Sequence, residues 1–120
     1  MIVHSLNWLS ESAKEAELVV TDEKHSLVVF SQPCSVAKGD KITERLHVFM
    51  PSNLMLSDAT VEKIEKGISP LASFIIAKMV NTPQGLCAVG GIEFEIEEHI
   101  PGGIQDGDII QFNCARVDLW

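Results

Sequence analysis

The sequence predicts a mainly β protein, a single small β-barrel over residues 1–120, with a β-sandwich as the alternative. Three observations carry this. The chain has 120 residues, the usual size of one domain. Short apolar, β-branched runs alternate with Gly, Pro and Asp turns at close spacing. The segment Leu86–Glu97 keeps a period of two along its length, and its glycine pair Gly90-Gly91 suits a bend that lets a sheet curl.

The elements follow in order. Residues 2–8 read as a first strand, although Ser12 and Glu15 also have the spacing of a capping box, so segment 1–14 stays open between strand and helical turn. Glu17–Thr21 and Ser26–Phe30 flank the polar run 22–25 and predict a hairpin that Pro33 ends. After the turn at 38–41, a strand is expected over 42–50, with Leu46, Val48 and Met50 on one face and Pro51 as its stop. Residues 58–66 predict a short helix, capped by Ser57 or Asp58 and closed by Gly67. Such a helix would depend on tertiary packing. Strands follow over 72–80, 86–97 and 109–119, the last with a parity switch near Ala115-Arg116 that predicts a bulge. Gly39-Asp40 and Gly107-Asp108 both lead into strands, which reads as shared turn chemistry rather than duplication.

Three strands, a short helix and three more strands resemble, in element order, the OB-type barrel. The likeness lies in topology and carries no residue motif. Barrels of that type that bind oligonucleotides have basic grooves with exposed aromatics. This chain has nine Lys and Arg against seventeen Asp and Glu, a net charge of −8 and no Tyr. The basic residues are scattered, so nucleic acid is not the expected partner. The acidic surplus would steer the protein toward a basic partner.

Cys34, Cys87 and Cys114 are odd in number and widely spaced, with no C-x-x-C, so reduced thiols in a cytoplasmic protein are expected. No basic region precedes an apolar stretch at the N-terminus, and no apolar run reaches membrane-span length. No cofactor is implied. His4, His25, His47 and His99 show no ligand spacing with one another or with the cysteines, so no metal site is expected.

Glu93, Glu95 and Glu97, extended by Glu98, form the most distinctive charge feature. Alternate positions put carboxylates on one sheet face, roughly 6–7 Å apart. The plain reading is a solvated face that resists aggregation. The functional reading is a docking surface for a basic protein. Cys34, in a loop after Pro33, is the candidate reactive thiol, with no base or cation visible beside it. The loop His99–Asp108 is acidic and leads into a strand, so it reads as a connection rather than a phosphate cradle. Trp120 packs back on the barrel or anchors a homodimer.

No catalytic constellation is present. The expected function is therefore a non-catalytic protein-binding module, in one form an immunity- or inhibitor-type protein that covers a basic partner. The alternatives are a small enzyme or small-molecule-binding barrel, its mouth lined by loops 31–40 and 99–108, and an oligonucleotide-binding OB-like domain.

Overall fold

A computed structural model describes all 120 residues, Met1–Trp120. It contains nine strands: β1 (Ile2–Ser10), β2 (Glu15–Thr21), β3 (Ser26–Ser31), β4 (Leu46–Leu56), β5 (Lys63–Lys66), β6 (Ser73–Asn81), β7 (Leu86–Val89), β8 (Ile92–Glu95) and β9 (Ile109–Leu119). The one helical element is a 3-10 turn at Thr82–Gln84. Strands β4, β8, β7, β6 and β9 close into a five-stranded barrel, because β9 pairs with both β4 and β6. The meander β1–β2–β3 extends the sheet beyond β9, and β5 lies outside β6. The small β-barrel expected from the sequence is present.

The period-two pattern becomes the core. Phe94 and Phe112 are fully buried, with Ile75, Met79, Ile92 and Ile110 around them. The same core continues beneath the meander through Leu18, Val20 and Val29. The parity switch in β9 is real, since Cys114 and Val117 are both buried. No bulge at Ala115-Arg116 accompanies it: the register with β4 is unbroken from His47 to Ser52 and shifts only between Ser52 and Met55. Met50, in this stretch, has φ 53. Here β9 leaves β6, at Ser73 opposite Cys114, and joins β3, at Phe30 beside Asp118.

Several expectations need correction. The helix at 58–66 does not form. Ser57 Oγ accepts the Ala59 N–H and caps a turn instead, and Lys63–Lys66 pairs with β6, Ile64 opposite Ile75. Two and a half helical turns have little stability of their own, whereas the edge of β6 offers backbone partners. Val61, which a helix over 58–66 would turn toward the core, is exposed. The order that resembled the OB-type barrel depended on this helix and goes with it. The strand expected at 42–50 starts at Leu46 and continues through Pro51 to Leu56. Beyond His47 it pairs only with β9, so one flank is an edge, where proline is tolerated. Leu46 and Val48 face the core, but Met50 is exposed at the kink. Leu86–Glu97 is a hairpin, not one strand, with Gly90 (φ 57) and Gly91 as its turn. Residues 11–14 form a turn between β1 and β2, so the capping box at Ser12 and Glu15 is not used.

The echo between the two Gly-Asp turns reaches much further than turn chemistry. Gly39 N–H donates to the Val3 carbonyl (2.8 Å), and the Asp40 carbonyl accepts from Val3 N–H (2.9 Å). Gly107 and Asp108 make the same pair of bonds with Met79 (2.8 Å each). Each aspartate also accepts, at 2.8 Å, the N–H three residues before it, Ala37 or Gln105. Each turn thus follows a three-stranded meander and docks on its first strand, β1 or β6. Both first strands carry a bulge just past the docked residue, Val3/Ser5 and Met79/Asn81. Each turn then feeds a long strand, β4 or β9, that pairs in parallel with the third strand of the other half. Between β4 and β9, Val48 opposite Val117 marks a local two-fold relation. Buried residues match across it: Val3 with Met79, Val20 with Cys87, Leu27 with Phe94 and Ile42 with Ile110.

Candidate functional site

The outward residues of β3, β9, β4 and β8 make the chemically richest surface. Leu46 and Val48 point into the core, so His47 and Phe49 face outward by alternation. Register then brings distant residues beside them. Asp118 lies opposite His47 and beside Phe30, and Arg116 lies opposite Phe49. The Arg116 guanidinium sits 4.5 Å from the ring centroids of both Phe30 and Phe49. Its Nε and a terminal nitrogen donate to the two Asp118 carboxylate oxygens at 2.6 and 3.0 Å. The Asp118 carboxylate holds the Arg116 proton even more firmly than usual. This cation, held by one carboxylate and two rings, acts as cement between three strands.

Next to it, the His47 and Trp120 rings stack at 3.6 Å between centroids with planes 8° apart. Trp120 remains 66% exposed, so its surface is still open to a partner. His47 Nδ1 lies 3.4 Å from a Glu95 oxygen and 3.6 Å from a Glu97 oxygen, and it is buried without a hydrogen-bond partner. Arg45 approaches the other Glu95 oxygen at 3.5 Å. His47, Glu95 and Glu97 are the one set of side chains whose donor atoms, all within 4.8 Å of one another, stand close enough to share a cation. The cation can be a metal or the head group of a lysine or arginine.

Glu93 and Glu97 are exposed and Glu95 is half-buried, with Phe94 and Ile96 inward between them. Glu98 has two settings. With Glu95, Glu97 and His99 it lines a shallow depression of about 430 Å³. It also borders a groove of about 750 Å³ at the β4 kink, lined by Met50, Asn53, Ile68, Phe74 and Asn113. That groove contains no histidine. Cys114 lines it, but burial pushes that thiol up to about 11, far from a nucleophile's range. A second groove, of about 490 Å³, lies between the β2–β3 hairpin and β5–β6 and is lined by Val19, Leu27, Ile64 and Glu65.

Cys34 lies in the loop after β3, as expected, but its side chain is buried in the core and its thiol donates to the Val36 carbonyl. A thiol so packed is a structural residue, and the reactive reading falls. Cys87 and Cys114 are core residues, and burial pushes the Cys87 thiol up to about 12. Nothing in the residue pattern shows that Arg116 lies against two phenylalanines or that Trp120 stacks on His47. The outward parity of His47, beside the glutamate stripe, was the one available signal.

No protein-family model matches the chain, and neither a curated protein nor a solved structure is similar to it. No helix is long and apolar enough to cross a membrane.

Proposed function

We propose that this protein is a non-catalytic binding module that docks a basic partner protein, in the manner of an immunity or inhibitor protein, on the face formed by β4, β8 and the C-terminus. One observation carries the reading: the exposed Trp120, stacked on His47, stands beside the Glu95 and Glu97 carboxylates. An aromatic plane flanked by two carboxylates suits the guanidinium or ammonium group of a partner's side chain. Tryptophan and charged anchors of this kind dominate binding energy at interfaces. The net charge of −8 would speed the encounter with a basic protein. The free state of all three cysteines supports a reducing, cytoplasmic setting.

The test is capture from native lysate with three baits: the wild type, Glu95→Gln/Glu97→Gln and Trp120→Ala. A basic protein held by the wild type, released as salt rises and lost with either variant supports the reading. Retention of the same proteins by all three baits would sink it. Light scattering separates a homodimer built on Trp120, which would shift with Trp120→Ala alone.

A further inference from the structure

The His47 Nδ1 atom is the one buried side-chain nitrogen or oxygen of the chain that has no hydrogen-bond partner. A Glu95 oxygen at 3.4 Å and a Glu97 oxygen at 3.6 Å face it. Charge-assisted hydrogen bonds between such groups are about 2.7–2.9 Å long, so neither contact is one. A buried polar atom left unanswered is destabilising, and natural folds seldom keep one without a reason.

We propose that His47 Nδ1, Glu95 and Glu97 bind a divalent transition-metal ion, zinc above all. The site stands apart from the basic-partner reading, although both use the Glu95 and Glu97 carboxylates. Spacing favours a metal over an ammonium group. Ligand atoms about 2.0–2.2 Å from a tetrahedral ion lie about 3.3–3.6 Å from one another. Both distances from His47 Nδ1 fall in that range. Around an ammonium nitrogen, with acceptors at about 2.8 Å, the separation would be about 4.6 Å. The three donor atoms all lie within 4.8 Å of one another, and the exposed Glu97 side chain has room to close the remaining gap.

Chemistry chooses the ion. Imidazole nitrogen and carboxylate oxygen are both zinc ligands, and three of them leave the fourth place to water. Calcium and magnesium take about six or more oxygens, which one nitrogen and two carboxylates do not supply. The ligands also stand on a rigid frame. His47 lies beside Glu95 in the parallel β4–β8 ladder, and Glu97 follows two residues on. Trp120 stacks on the imidazole and fixes its plane. Arg45 approaches the other Glu95 oxygen at 3.5 Å, which leaves one oxygen directed at His47. Supporting contacts of this kind orient metal ligands. Glu98, in the same depression as Glu95 and Glu97, adds negative charge that draws a cation in.

The test is titration of the full chain with zinc chloride, read by calorimetry and by ¹⁵N NMR of the histidine rings. The expected result is equimolar binding and a shift at His47 Nδ1, with His4, His25 and His99 unmoved. Magnesium and calcium at the same concentration should give neither. His47→Ala and Glu97→Gln should each weaken zinc binding at least about tenfold. Glu97 is exposed, so Glu97→Gln should keep its unfolding midpoint and decides the matter even if His47→Ala fails to fold. Unchanged zinc binding in Glu97→Gln, or a zinc-induced shift at another histidine in place of His47, would overturn the proposal. So would the absence of binding, which would leave the trio an ordinary ion pair. Partner capture is run with a chelator present, so its outcome is separate from this one.

Discussion

The Asp22 carboxylate accepts the Gly91 N–H at 2.7 Å across 69 positions of sequence, and this bond ties the tip of the β2–β3 hairpin to the tip of the β7–β8 hairpin. Its other oxygen accepts the His25 and Lys24 amides at 2.7 and 3.1 Å. Burial works to raise the Asp22 carboxyl. The hydrogen bonds from Gly91, His25 and Lys24 outweigh it and lower the carboxyl to about 2.

That shift fixes a pH dependence. The folded value lies below the ordinary 3.8, so the contribution is complete above about pH 4 and is lost as pH falls through about 2. Its size is at most about 2 kcal/mol. Urea unfolding between pH 2 and 5 should show this loss in the wild type and a much flatter profile in Asp22→Asn. At pH 7, Asp22→Ala leaves three amides without their acceptor and should cost about 1–3 kcal/mol.

Gly90 lies against the same carboxylate. Its φ of 57 is unfavourable for a side chain, and a Cβ there would run into Asp22. Gly90→Ala should therefore destabilise by about 1–3 kcal/mol and separate the two hairpin tips. Loss of protection at the Gly91 amide in hydrogen exchange is the measurement. Unchanged protection would show that the Asp22 clamp survives.

The twin turns make a paired prediction. Gly39 and Gly107 have φ of 92 and 91, with open space around an added Cβ. Alanine at either position meets backbone strain alone, and the two variants should lose about 1–2 kcal/mol each, in near-equal amounts. Thermal unfolding of the pair decides it. A large inequality would mean that the two turns are not energetically equivalent.

Much of this fold can be read from the chain. The run Glu17–Phe30 with its polar centre is a hairpin, and the alternation of Ile92, Phe94 and Ile96 with glutamates sets the inward face of β8. Residues 58–66 could not be assigned locally, because Val61, Ile64 and Ile68 suit a helix while Lys63–Lys66 also alternates. An unpaired edge at Ile75 and Ile76 decides the matter, and that edge exists only after folding. The site was less legible. His47 meets Trp120 because β4 and β9 pair with Asp118 opposite His47, a register set by long-range packing.

The His47–Trp120 stack gives a spectroscopic test. With centroids 3.6 Å apart, the indole ring current should shift the His47 ring protons strongly upfield. Trp120→Ala should return them to ordinary positions with little change in unfolding midpoint, since Trp120 is mostly exposed. Unmoved resonances would mean that the stack does not persist in solution.

The thiols supply a last check. Cys34, Cys87 and Cys114 are all buried. A thiol reagent at pH 8 should label none of them at an appreciable rate in the native protein and all of them in denaturant. Rapid labelling of Cys34 alone would show that its loop opens.

The exchange of final strands between halves has a consequence for assembly. β4, made by the first half, is a wall of the barrel that the second half closes, while β9 continues beside β3 of the first. Neither half can finish its own core before the other supplies a strand. The chain should therefore fold slowly for its length, in one cooperative step dominated by distant pairings, and a fragment cut between β4 and β6 should remain unfolded until its complement is added.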